Sequence, residues 1–264
     1  MKNTIHYTIK GKGRPLLLIH GWAMNADVFN DISDHLSLRY QVIRIDLRGH
    51  GKSKHLEGPC NYAVFAQDIK TLINKLEFKD LTLIGWSMGV SIILKMLKSS
   101  LPGLDSLVFI SGNPSLVKRE NYEHGIPEVV VKRLYKQTER DLEKGLKNFY
   151  GRLFTPLELS SLKQKNIYKT ITDINNAPKK GAALESLKCL QNEDLRNELE
   201  KIALPTLLIH GKDDQISMPS ASAYMKEQIK GAELFLLDKT GHAPFITREK
   251  EVLKKLHGFL ETPR

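Results

Sequence analysis

Unbroken apolar runs alternate along this chain with segments whose apolar residues recur at helical spacing, and turns rich in glycine separate them. The strand-like IHYTIKG (5–11) leads through Gly11-Lys12-Gly13 to PLLLIHGW (15–22), whose apolar run ends at His20-Gly21. A run of this kind suits a strand buried on both faces, as parallel sheets require. A helix is expected from about Ala26 to Leu38, and YQVIRIDLRGHGKS (40–53) then gives a second buried strand that stops at Asp46. YAVFAQDIKTLINKL (62–76) is periodic as a helix, LTLIG (81–85) reads as a strand, and VSIILKMLKSS (90–100) is a helix closed by Pro102-Gly103. LDSLVFISG (104–112) follows as a strand. Strands alternating with helices predict an α/β fold: a mostly parallel central sheet flanked by helices, with ligands outside the carboxyl ends of the strands.

Between Asn113 and Leu195 the strand signal stops, and PEVVVKRLYKQTERDLEKGLKNFYGRL (127–153) is helical in period. A stretch this long is not an ordinary loop. We read residues 113–195 as an inserted helical cap, and residues 1–112 and 196–264 as the core. The core pattern returns with LPTLLIHGKDD (204–214), a strand ending on two aspartates, and SASAYMKEQI (220–229), a helix. AELFLLDKTGHAPF (232–245) reads as a strand ending near a histidine, and EKEVLKKLHGFL (249–260) as the closing helix.

The 264 residues, 41% hydrophobic and 27% charged, are enough for one large core. No apolar stretch is long enough for a bilayer and no secretory apolar region opens the chain, so a cytoplasmic location without membrane contact is expected. Cys60 and Cys189 are the only cysteines, too few for a disulfide framework or a four-cysteine zinc site. The net charge of +10 raises nucleic acid, a membrane surface or an acidic protein as partners. No basic run interleaved with aromatics and no zinc-finger or RNA-binding signature is present, which argues against nucleic acid.

Chemistry concentrates at the predicted strand ends. Gly85-Trp86-Ser87-Met88-Gly89 matches G-x-S-x-G, which on its own could be a simple tight turn. Its sharper meaning is a strained strand-to-helix turn that lifts a serine hydroxyl above the sheet. A serine nucleophile needs a base and a carboxylate that orients the base. The chain supplies them in the order Ser87, then Asp213 or Asp214, then His242. His257, in the closing helix, and His210, inside a buried strand, are not placed to reach Ser87. The turn after His20-Gly21 would aim the Trp22 N–H at a developing oxyanion, and the N–H of Met88 would be the second donor. Chemistry of this kind needs neither a metal nor an organic cofactor.

His20-Gly21-Trp22, DLRGHGKS (46–53), the G-x-S-x-G segment, GKDDQISMP (211–219) and GHAPF (241–245) together resemble the α/β-hydrolase superfamily. That resemblance selects Asp214, three residues after Gly211, as the acid. HGWAMNADVF (20–29), the tryptophan in GWSMG, the segment 184–211 and GHAPFITREKEVL (241–253) further resemble the pimeloyl-acyl-carrier-protein methyl ester esterases of biotin synthesis. One departure is Asp46-Leu47-Arg48-Gly49, where that family often has Asp-Leu-Pro-Gly. The resemblance implies a carboxylesterase that removes the methyl group from a carrier-borne pimeloyl ester. It places Trp22 near the substrate and makes Phe149, Tyr150, Gly151, Arg152 and Leu153 the lining of an acyl channel.

Acyl carrier protein, the implied partner, is acidic, and a basic face should meet it. From Lys118 to Lys169 twelve basic residues stand against seven acidic ones, an excess of five positive charges. By rough alignment Lys144 and Lys165 fall at two of the family's docking arginines, while Asn148 and Ser161 fall at the other two. Lys147, Lys163 and Arg152 complete the expected docking set. A monomer is the simplest expectation. The competing readings are a generic short-chain carboxylesterase, a lyase like that of menaquinone synthesis on the same fold, and a non-catalytic binding module, whose usual sign, a damaged triad, is not seen.

Overall fold

The structure, a computed structural model, describes residues 4–162 and 166–262. Seven strands form one sheet: β1 (Tyr7–Lys10), β2 (Pro15–Ile19), β3 (Gln41–Ile45), β4 (Leu81–Trp86), β5 (Leu104–Ile110), β6 (Thr206–Gly211) and β7 (Glu233–Leu237). Their order is β1-β3-β2-β4-β5-β6-β7, and only β1 runs antiparallel to its neighbour. Every residue of β2, β4 and β6 is buried, which is why these strands are apolar without alternation. β7 closes the edge and is largely accessible, so its apolar run is less complete.

The helices of the core are α1 (Asn30–Leu36), α2 (Tyr62–Leu76) and α3 (Met88–Met96) in the first half, and α9 (Pro219–Gln228), α10 (Pro244–Thr247) and α11 (Glu249–Glu261) in the second. α3 buries eight of its nine residues against β4 and α2, a helix apolar nearly all round. The helix expected over 26–38 divides into a 3-10 turn over Ala26–Phe29, whose start is capped by Asn25, and α1. β7 stops at Leu237, so His242 stands in the loop beyond the strand, five residues past its end.

Between β5 and β6 the described chain adds no strand to the sheet. It forms α4 (Glu128–Arg140), α5 (Leu142–Tyr150), α6 (Pro156–Leu162), α7 (Asn166–Thr172) and α8 (Lys180–Asn192). α4 packs against α5 and α8, and only Val131 and Thr138 of α4 are buried. No described helix is long and apolar enough to cross a membrane.

Candidate active site

Ser87 joins β4 to α3 with φ 54° and ψ −119°, a left-handed conformation that a residue with a side chain adopts only at a cost of about 1–3 kcal/mol. Its surroundings hold it there. The Ser87 N–H donates to Ile110 O of β5 (2.9 Å), and the Ser87 carbonyl accepts from Val90 N (2.9 Å). Gly89 lets the new helix pass β2: a Cβ there would lie 2.3 Å from the Ile19 carbonyl oxygen. The His20-Gly21-Trp22 turn lies alongside, since a Cβ on Gly21 would stand 3.1 Å from Ser87 Cβ. Met88 is the first residue of α3, and the first N–H groups of a helix have no partner within it.

The loop after β6 delivers the carboxylate. Asp214 is buried, while Asp213 is exposed. Asp214 Oδ1 accepts from the N–H groups of Ile216 (2.8 Å) and Ser217 (3.1 Å), and Oδ2 lies 2.7 Å from His242 Nδ1. Burial alone would raise the Asp214 pKa. The neighbouring His242 and His210, acting through charge and hydrogen bonds, outweigh it and hold the carboxyl well below its usual range. An ionised carboxylate against Nδ1 places the proton of neutral His242 on that nitrogen. The lone pair of Nε2 is then free, and this buried nitrogen has no hydrogen-bond partner among the described residues. Trp86, next to the serine, donates its indole N–H to the His242 carbonyl (2.8 Å), which ties the two turns together.

Sequence reasoning set His210 aside because it could not reach Ser87. The structure gives it a different place. Its Nε2 lies 3.0 Å from both Asp214 Oδ2 and the Ser217 carbonyl, and its Nδ1 is 2.6 Å from Ser222 Oγ. Two acceptors facing Nε2 put the proton there, so His210 donates to Asp214 while accepting from Ser222. The signal available in the sequence was a histidine four residues before an aspartate, at a strand position otherwise apolar.

A cavity of about 570 Å³ opens above Ser87. Trp22, Leu116, Val131, Phe149, Leu187 and Ile216 contribute apolar wall, and Arg133, Gln137, Asn148, Arg152 and Gln215 are polar lining. No Asp or Glu among the described residues lines it. Trp22 meets Phe149 edge to face (4.8 Å between rings) and donates its indole N–H to the Ala183 carbonyl (2.9 Å). The Arg152 guanidinium donates to the Gln215 carbonyl (3.0 Å).

Of the expected channel residues, Trp22, Phe149 and Arg152 line this cavity, and Tyr150, Gly151 and Leu153 do not. Tyr150 is buried with its hydroxyl on the Ala23 carbonyl (3.1 Å), Gly151 follows the end of α5, and Leu153 accepts from the His242 N–H (2.8 Å). The five residues run from the last turn of α5 into the loop after it, where successive side chains point in different directions, so the continuous stretch does not all face one channel. Of the expected docking residues, Lys147 is exposed and paired with Glu143 (2.6 Å), and Lys144 shares a surface groove with it, Asp141 and Asn148. Lys163 and Lys165 lie outside the described residues. Arg133 and the apolar face of α4 and α8 were not singled out from sequence, although the helical period of α4 marks Val130, Val131 and Leu134 as one side. Among the described residues no group of three or more His, Cys, Asp or Glu side chains could hold a metal ion.

Comparison with known proteins adds to this geometry. A family model described as the alpha/beta hydrolase fold matches residues 14–249. The pimeloyl-[acyl-carrier protein] methyl ester esterase of Nitrosomonas europaea is 29% identical over 245 residues, which cover 92% of this chain and 94% of that protein. Among solved structures, the esterase EaEST from Exiguobacterium antarcticum is 28% identical with a TM-score of 0.88, covering 98% of this chain and 96% of its own. A bromoperoxidase from Bacillus anthracis is 26% identical with a TM-score of 0.91, covering 98% and 95%.

Proposed function

Because the chain belongs to the α/β-hydrolase family, we propose that Ser87, His242 and Asp214 form a catalytic triad that hydrolyses the methyl ester of a pimeloyl chain borne on acyl carrier protein. The chain is a carboxylic ester hydrolase, in keeping with its family and its esterase relatives. The observation that carries the mechanism is the 2.7 Å bond from His242 Nδ1 to a buried, ionised Asp214, which leaves Nε2 free as a base.

His242 Nε2 takes the Ser87 proton as Oγ attacks the ester carbonyl. The tetrahedral oxyanion rests on the N–H groups of Trp22 and Met88, each donor contributing about 3 kcal/mol by mutational precedent. His242 returns the proton to the departing methoxide, and methanol leaves an acyl-enzyme. Water activated by the same nitrogen then attacks the acyl carbonyl and releases a free carboxylate, with the carrier thioester intact. The apolar wall of Trp22, Phe149, Val131 and Leu187 suits a methylene chain, and the arginines Arg133 and Arg152 suit an acidic carrier.

Two measurements test this reading. A fluorescent covalent serine probe should label the folded protein and fail to label Ser87→Ala; no labelling of the wild type would count against an enzyme. Methyl ester cleavage on the pimeloyl carrier should exceed cleavage of p-nitrophenyl butyrate at low salt and lose that advantage at high salt. Activity on the free ester alone would leave a generic esterase and make the basic insertion ordinary surface.

A further inference from the structure

The inserted helices do more than cover Ser87, because their second loop holds the loop of His242. Glu158, in the first turn of α6, is buried although it is a carboxylate, and no ion pair accompanies it among the described residues. One local task explains part of this. Thr155 Oγ1 accepts from Glu158 N (3.2 Å) and Glu158 Oε2 accepts from Thr155 N (2.7 Å), the reciprocal capping box of a helix start. The same carboxylate also reaches into the core. Oε2 accepts from the Gly241 N–H (3.0 Å), and Oε1 accepts from the Thr247 hydroxyl of α10 (2.5 Å).

Gly241 and Thr247 bracket His242. The next N–H, that of His242 itself, donates to Leu153 O (2.8 Å), again within the insertion. Thus both backbone donors of the Gly241-His242 pair are satisfied by the segment 153–158, while the core holds the His242 carbonyl through Trp86 and its ring through Asp214. The fit is close: a Cβ on Gly241 would stand 2.7 Å from Leu153 O and 3.0 Å from Glu158 Oε2. A capping box needs none of these core contacts.

We propose that Glu158 is a positioning residue for the catalytic base: through Gly241 and Thr247 it fixes the loop of His242, so the seating of the helical insertion sets the aim of Nε2 toward Ser87. This rests on the triad reading above. Removing the carboxylate leaves two core donors, Gly241 N–H and the Thr247 hydroxyl, with nothing to accept them, and the loop is then held by Leu153 O alone on that side. Displacements of about 1 Å in a reacting group lower turnover by as much as about 100-fold without a matching change in ground-state binding.

The test uses the full-length protein and p-nitrophenyl butyrate, with rates expressed per folded molecule. Glu158→Ala should lower kcat by about 10- to 100-fold and change KM by less than about 2-fold. Glu158→Gln should restore most of the loss, because its amide oxygen can accept both N–H groups while its NH₂ donates to Thr247 Oγ1. Thr155→Ala, which weakens the capping box and leaves the core bonds, should lower Tm and keep kcat. If Glu158→Ala does not fold, Thr247→Val, which removes one of the core bonds, should still reduce kcat by several-fold with KM unchanged. Equal kcat for Glu158→Ala, Thr155→Ala and wild type would overturn the proposal, as would a Gln variant as slow as Ala. Ser87→Ala run alongside separates the two ideas: full activity in that variant defeats the triad itself, whatever Glu158 does.

Discussion

The carboxyl edge of the sheet and the inserted helices face each other across one cavity, yet they are built on different terms. At the sheet edge, position is set by backbone: the left-handed Ser87, the close pass of Gly89 over Ile19, and the N–H groups that grip Asp214. In the insertion, position is set by side chains on short amphipathic helices, and α4 leaves most of its surface in solvent. Backbone placement admits little change without clash or strain, whereas side chains on a half-exposed helix can be exchanged at small cost. The proposed triad therefore sits on the rigid side, and the proposed contacts to substrate on the adjustable side. Glu158 crosses that division, and so does Leu153 O, since each comes from the insertion and holds the loop of His242.

The largest effect should come from breaking the rigid side. Asp214→Asn is expected to lower kcat by about 10⁴-fold, because an amide no longer enforces the proton on His242 Nδ1. Steady-state cleavage of p-nitrophenyl butyrate checks this, with Asp213→Asn expected to stay near wild type; the reverse order would move the acid to Asp213. A smaller effect should follow on the adjustable side. Arg133→Glu combined with Arg152→Glu should raise KM for the carrier-bound ester by about 10-fold or more and flatten its salt dependence, with the free ester little changed. Equal weakening on both substrates would mean that the two arginines shape the cavity rather than meet the carrier.

The smallest effect concerns stability rather than turnover. His50 is fully buried, and burial, aided by the neighbouring His20, depresses its pKa from 6.5 to about 3. The unfolded chain therefore takes up this proton first, so the contribution of neutral His50 is complete above about pH 6.5 and is lost progressively as pH falls toward 3. His50→Leu should lose less Tm than wild type between about pH 6.5 and 4. His20, also depressed by burial, keeps part of the slope, so the acid sensitivity should shrink rather than vanish. An unchanged slope would mean that His50 takes up its proton at the same pH in the folded and unfolded chain.

Much of the core was legible because its signals are local. β2, β4 and β6 are unbroken apolar runs, and Ser87 lies within five residues that carry both glycines the turn needs. The helix expected over 26–38 came out as two pieces, since a tight turn capped by Asn25 looks periodic over so short a length. The run Phe149–Leu153 was less well served: it leaves the end of α5 and turns into a loop, so successive residues face different ways and three of the five do not line the cavity.

What the sequence determined by itself is the set of elements and the short turns between them, because apolar period and glycine placement act over a few residues. Tertiary structure alone decided contacts that no motif announces: Glu158 with Gly241 and Thr247, Leu153 with His242, and Arg133 with the cavity that Ser87 lines. The physical reason is that a hydrogen bond between residues eighty positions apart leaves no period in the chain. It exists only once the sheet has brought the ends of its strands to one edge and the insertion has folded back over them.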